Sequence, residues 1–147
     1  MQSSRGVSGR NHERREMAKA PRRAILVFDG RCGVCTRFVR VMKRLDTQQR
    51  VTAVPYQKPG VLASVGLTAE ACMKAAWAVT PEGHHHRGAE AVNLALAVAL
   101  GTRLPYTLYR LPLIRSAQDR AYDWIAANRH RLPGDEPHCS RHPGECA

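Results

Sequence analysis

The chain has 147 residues, 44% apolar and 24% charged, enough for one globular domain with its own core; this excludes a wholly disordered or fibrous protein. A net charge of +11 invites a nucleic-acid or anionic-surface reading. Residues 1–23 carry +5 of that charge, however, and aromatic residues are only 5%, too few for base-stacking platforms, so nucleic acid is not an expected partner.

Residues 1–23 are polar, Arg-rich and without a sustained period. They read as a disordered basic tail, or as a start placed ahead of Met17. No apolar stretch follows Met1-Gln2-Ser3-Ser4-Arg5, so a secreted, disulfide-stapled chain is not expected, and the location read is cytoplasmic. Ala24–Phe28 is a continuous apolar run, the pattern of a strand covered on both faces. Asp29-Gly30 supplies turn chemistry.

From Cys32 to about Leu45 the period is helical. Phe38, Val41, Met42 and Leu45 share one face, and Arg37, Arg40, Lys43 and Arg44 form a solvated opposite face. Val51–Tyr56 reads as a second strand with Pro55 at its end or edge. Val61–Val65 is a helical turn that Gly66 stops, and Thr68 is placed to cap a short helix to Met73. Lys74–Thr80 reads as a strand, joined through Pro81-Glu82-Gly83 to a hairpin partner carrying His84, His85 and His86. Alternation puts His84 and His86 on one side and His85 on the other, which favours an exposed hairpin strand over a metal site.

Ala89–Leu100 contains the most apolar run. It is well short of the ~20 residues of a membrane span and reads as a buried helix. Leu104–Pro112 is an apolar connection or broken helix. Ser116–Arg129 is helical, with a stripe of Ala117, Ala121, Ile125 and Asn128 flanked by Tyr122 and Trp124. Arg131 onward is loop. The order of elements predicts an α/β fold, a thioredoxin-like sandwich with an added C-terminal helix, over residues 24–132. Residues 133–147 read as a flexible Cys/His-containing tail.

The chemistry centres on Cys32 and Cys35. A thiolate at a helix start is stabilised by unpaired N–H groups and the positive end of the helix dipole, which lowers its pKa. A second thiol one turn on can resolve a mixed disulfide. Cys32 is thus the expected attacking sulfur and Cys35 the resolving one. Arg31, Arg37 and Arg40 add positive charge nearby. Asp29 pulls the other way if ionised and close, or serves as a local base for a thiol proton. Two other readings stay open: half of a zinc site, or two ordinary buried cysteines.

A second cluster, Pro137-His138-Cys139-Ser140-Arg141-His142-Pro143-Gly144-Glu145-Cys146, bears on the zinc reading. Cys32, Cys35 and Cys139 with His138 or His142 would supply four ligands. That alternative is a zinc-binding interaction module. A tail with scattered thiols, or Cys139 folded back as a partner thiol, are the other accounts. Cys72 reads as a buried small hydrophobe.

Phe28-Asp29-Gly30-Arg31-Cys32-Gly33-Val34-Cys35 resembles the opening motif of the DCC family of thiol-disulfide oxidoreductases, named for an Asp and two Cys that match Asp29, Cys32 and Cys35. The stretch Asp119–Arg131 is similar to that family's C-terminal helix, and Cys139 matches a cysteine common shortly after it. The resemblance spans about Ala24 to Cys139. It implies a thioredoxin-like fold and disulfide reductase or exchange activity, with Asp29, Cys32 and Cys35 as the catalytic residues. The implied partners are a disulfide-bearing protein or small molecule and a thiol electron donor, and no cofactor or membrane. Thioredoxins place a cis-proline before the strand that faces the cysteines. Here Ala71–Ala76 contains no proline, so the substrate clamp is expected to be built differently.

Overall fold

A computed structural model describes residues 21–146. The expectation for residues 1–23 therefore lies outside the described residues except at 21–23. Four strands, β1 (Ala24–Phe28), β2 (Val51–Pro55), β3 (Trp77–Val79) and β4 (His85–Arg87), form one mixed sheet in the order β2-β1-β3-β4. The helices are α1 (Gly33–Leu45), α2 (Val61–Val65), α3 (Ala69–Lys74), α4 (Ala89–Leu100), α5 (Leu104–Tyr109), α6 (Pro112–Asn128) and α7 (His138–Arg141). This is an α/β architecture of the expected thioredoxin-like kind.

β1 runs parallel to β2, Ala24 opposite Val51 and Phe28 opposite Pro55. It runs antiparallel to β3, Val27 opposite Trp77. β3 and β4 close the sheet as a hairpin. Pro55 ends the edge strand β2, where its missing N–H costs no ladder bond.

β1 is apolar at every position because a core packs on each of its faces, although Ile25 stays 37% exposed. Ala24, Leu26 and Phe28 pack with Val39 and Met42 of α1 and Ala95, Val98 and Ala99 of α4. On the other face Val27 packs with Val61, Val65, Cys72 and Val79. Leu26 and Met42 are wholly buried. Asp46, buried just past the end of α1, accepts from the Arg50 and Val51 N–H groups at 2.8 Å each. One carboxylate thereby ties the end of α1 to the start of β2.

The expected Thr68 cap holds: Thr68 caps α3 through the Ala71 N–H at 3.1 Å. Lys43 and Arg44 also lie in the last turn of α1, where the helix dipole favours cations. β3 is shorter than expected, because α3 runs through Lys74 and the strand begins only at Trp77. Leu104–Tyr109 forms a helix of its own, and α6 starts at Pro112, four residues earlier than its periodicity indicated. Proline suits a first helical turn, where its missing N–H would be unpaired in any case.

The face of α6 differs from the expected stripe. Ala117, Ala121 and Ile125 are exposed and of that stripe Asn128 alone is half-buried; the other half-buried positions are Ile114, Gln118, Asp119, Tyr122, Ala126 and, at the helix end, Arg129. Polar contacts choose this face. Gln118 bonds Asn93, Tyr122 bonds the Ala76 N–H, and Arg129 meets Asp29.

Residues 133–146, expected to be a flexible tail, instead fold back as a strap over the start of α1. Asp135 N–H donates to the Gly33 carbonyl at 3.1 Å, and Cys139 N–H donates to the Gly30 carbonyl at 2.9 Å. His138 N–H donates to Thr36 Oγ1 at 3.1 Å. Arg40 pairs with Asp135 at 3.0 Å. Cys139 and Cys146 are joined in a disulfide. The spacing of this segment suggested no structure because its partners lie a hundred residues earlier.

Leu26→Ala removes a wholly buried side chain from the strand that both cores share. We expect it to lower the unfolding free energy by about 2–5 kcal/mol, read by urea denaturation followed with far-UV circular dichroism. A change under about 1 kcal/mol would contradict this placement of the core.

Candidate active site

The site is assembled at the point where β1 ends. Phe28 is the last strand residue, and the chain turns at Asp29-Gly30 into α1. Cys32 N–H donates to the Asp29 carbonyl at 3.1 Å, which closes the turn. Arg31 N–H donates to Asp29 Oδ1 at 3.0 Å. Gly30 N–H donates to Gln57 Oε1 at 3.0 Å, and Gln57 Nε2 donates to Asp29 Oδ1 at 2.7 Å. The turn between strand and helix is thus held from both sides.

Cys32 occupies the N-cap of α1, with extended backbone. Its sulfur accepts from the Cys35 N–H at 3.3 Å, in the manner of a capping side chain. The Cys35 thiol donates to the same sulfur at 2.6 Å. That separation is only about half an ångström longer than a disulfide bond of ~2.05 Å. Both cysteines are free, as is Cys72. Cys32 keeps 8% of its surface and is the less exposed of the pair.

The two sulfurs are pushed in opposite directions. The Cys35 thiol hydrogen bond, the Cys35 backbone N–H and the Arg129 guanidinium favour the Cys32 thiolate. Burial and the Asp29 charge oppose them, and the balance lowers Cys32 from 9.0 to about 6. Cys35 is driven strongly upward, first because its proton is given to Cys32 and then by burial and the Cys32 charge. The proton is shared unequally, as expected when two acids lie close enough to bond.

The cation acting on Cys32 is Arg129, at the end of α6, not the nearby residues of α1. Arg37 and Arg40 point to solvent, and Arg40 is taken by Asp135. Arg129 lies 3.3 Å from Asp29 Oδ2 and donates to the Met73 carbonyl at 3.1 Å. Local sequence pattern places Arg129 at the end of a helix and gives no sign of its role at the cysteine pair. Tyr122 was also missed. Its hydroxyl accepts from the Ala76 N–H at 2.8 Å, just before β3, and burial raises its pKa first, with the Cys35 charge adding to the rise. Helical spacing is the one signal that connects the two residues, since Tyr122 and Arg129 lie two turns apart.

Asp29 therefore lies on the turn that leads into Cys32 and Cys35, and its charge acts on both sulfurs. The zinc alternative is not assembled. Cys139 is bonded to Cys146 and has no thiolate to offer, while the His138 ring stacks edge-on against Phe28 and bonds Glu145. Among the described residues no three Cys, His, Asp or Glu side chains converge as a metal site. The hairpin histidines are separately engaged: His85 bonds the Val65 carbonyl, and His86 pairs with Glu90 at 2.6 Å. Cys72 is buried in the second core, where burial raises its pKa.

No helix of the described residues is long and apolar enough to cross a membrane. No curated protein and no solved structure matches the chain. A family model does, over residues 26–135, from within β1 to the strap. With the cysteine pair, its turn and its helix all inside that span, the chain belongs to the DCC1-like thiol-disulfide oxidoreductase family.

Proposed function

We propose that this protein is a thiol-disulfide oxidoreductase in which Cys32 attacks and Cys35 resolves. The observation that carries the reading is the 2.6 Å contact between the two sulfurs at the start of α1. It leaves one thiol acidic and the other protonated, the division of labour that exchange requires.

The cycle follows from that asymmetry. The Cys32 thiolate attacks one sulfur of a substrate disulfide, and the other sulfur leaves as a thiolate. Cys32 is then neutral and no longer holds the Cys35 proton. Cys35 loses that proton to the departing thiolate or to solvent and attacks Cys32. A Cys32–Cys35 disulfide forms, and the second substrate sulfur leaves. The substrate gains two electrons and the protein loses two. A thiol donor returns the pair to the dithiol by the reverse exchange.

Asp29 serves as an organiser in this scheme. Its carboxylate holds the Arg31 backbone, Gln57 and Arg129 together, and its charge restrains the Cys32 thiolate. Stabilising the Cys32 thiolate stabilises the reduced pair and makes the couple more oxidising than two ordinary thiols. The substrate is a disulfide on a protein or small molecule. The backbone just before β3 offers Ala76 little freedom as a clamp, because its N–H is held by Tyr122 and its carbonyl accepts from the Gly88 N–H.

Cys32→Ser is expected to abolish reduction of a small disulfide such as 5,5′-dithiobis(2-nitrobenzoate) or of insulin with dithiothreitol as donor. Undiminished turnover would remove Cys32 from the mechanism. In the wild type, the alkylation rate of Cys32 by iodoacetamide is expected to rise with pH through a midpoint near 6 and then level off. A midpoint at 8 or above would contradict the thiolate assignment. Arg129→Met takes away a charge that lowers Cys32, so the same midpoint should move upward, with Arg129→Lys restoring part of the shift. An unmoved midpoint in the methionine variant would leave Arg129 with a purely structural part.

A further inference from the structure

The Cys139–Cys146 disulfide lies against the candidate active site and has no part in the cycle above. We propose that it is a second redox pair, and that Cys32–Cys35 and Cys139–Cys146 exchange electrons within one chain. The proposal rests on the thiol–disulfide reading of Cys32 and Cys35.

Its basis is placement. Gly30 is two residues before Cys32, and a Cβ on Gly30 would lie 2.6 Å from Cys139 Sγ. The sulfur therefore occupies space that any other residue at position 30 would fill. Cys139 N–H is bonded to the Gly30 carbonyl. Its neighbour His138 is bonded to Thr36 Oγ1, which in turn donates to the Cys32 carbonyl at 2.9 Å. Two residues of chain span at most about 7 Å, so Cys139 is held within one short loop of the attacking sulfur.

The states of the two pairs are complementary. Cys32 and Cys35 are free thiols, and Cys139 and Cys146 are joined. A reduced pair with an acidic attacking sulfur thus sits beside an oxidised pair that can accept from it. The joined cysteines are only seven residues apart, and a disulfide that closes so short a loop gains least from restricting the unfolded chain. Both are half-buried, whereas Cys32 is buried. Transfer would thus carry reducing power from a covered sulfur to a more accessible one.

The step balances internally. The Cys32 thiolate forms a bond to Cys139 Sγ as the Cys139–Cys146 bond breaks, and Cys146 leaves as a thiolate. Cys35 then gives up its proton, which the Cys146 thiolate takes, and attacks Cys32. The Cys32–Cys139 bond breaks, and Cys139 leaves as a thiolate. Two electrons have passed from one pair to the other, with no outside oxidant. The strap must shift along the start of α1 for the sulfurs to meet. It is held there by three hydrogen bonds and the Arg40–Asp135 pair.

A trapping experiment tests this. The variant Cys35→Ser/Cys146→Ser keeps Cys32 and Cys139 but removes their partners. After full reduction, removal of reductant and addition of one equivalent of diamide, acid quench and peptide mapping should find Cys32 linked to Cys139 in more than half of the monomer. Wild-type protein handled in the same way and sampled over time should show the bond redistributing between the two pairs at a rate independent of protein concentration. The wild-type arm decides the matter if the variant does not fold. Absence of the Cys32–Cys139 link in folded variant, or a wild-type bond distribution that never relaxes, overturns the proposal. Reaction of Cys32 with 5,5′-dithiobis(2-nitrobenzoate) in the same samples separates the two failures. If Cys32 reacts there but not with Cys139, the relay falls and the oxidoreductase reading stands. If it reacts with neither, both fall.

Discussion

The site depends on a single hydrogen bond, from the Cys35 thiol to the Cys32 sulfur. It fixes which sulfur is charged and which keeps its proton. The bond exists because one turn of helix separates two thiols, and because the first of them stands in the capping position, where it also receives a backbone N–H. Any displacement of the start of α1 relative to β1 would move the pair away from Asp29 and Arg129, whose charges act on it. The surroundings can be understood as the means of preventing that displacement.

The fold supplies the constraint in layers. β1 is clamped between two apolar cores, so its end is a fixed point. Asp29 and Gln57 then fix the turn that leaves it. Arg129 reaches the same carboxylate from α6 and the Met73 carbonyl behind it. Elements from three distant parts of the chain converge on one two-residue turn. Ion pairs at an open surface contribute little, but the Asp29 and Arg129 side chains keep only 13% and 21% of their surfaces, so this pair is better shielded than most.

The parts legible in the sequence are those decided locally. The apolar run of β1, the Asp-Gly turn, the cysteine spacing and the Thr68 cap each announce themselves within a few residues. The α/β class follows from their order. Other features are decided by residues far apart, and there local pattern misleads. In α6 the apolar stripe of Ala117, Ala121 and Ile125 faces outward, because Gln118, Tyr122 and Arg129 find polar partners on other elements. The strap is similar. Its Cys139–Cys146 link has no recognisable spacing, and its docking depends on Gly30, Gly33 and Gly134 having no side chains. A Cβ on Gly134 would lie 2.4 Å from the Gly33 carbonyl carbon.

The position of Arg129 has a consequence for how the site comes into being. Translation delivers Cys32 and Cys35 early and Tyr122, Arg129 and the strap nearly a hundred residues later. A chain emerging from the ribosome therefore presents the cysteine pair before the residues that cover and tune it have been made. The charge set around Cys32 is complete only once the end of α6 has been made, so a truncated or half-synthesised product carries the motif without the finished electrostatics around it.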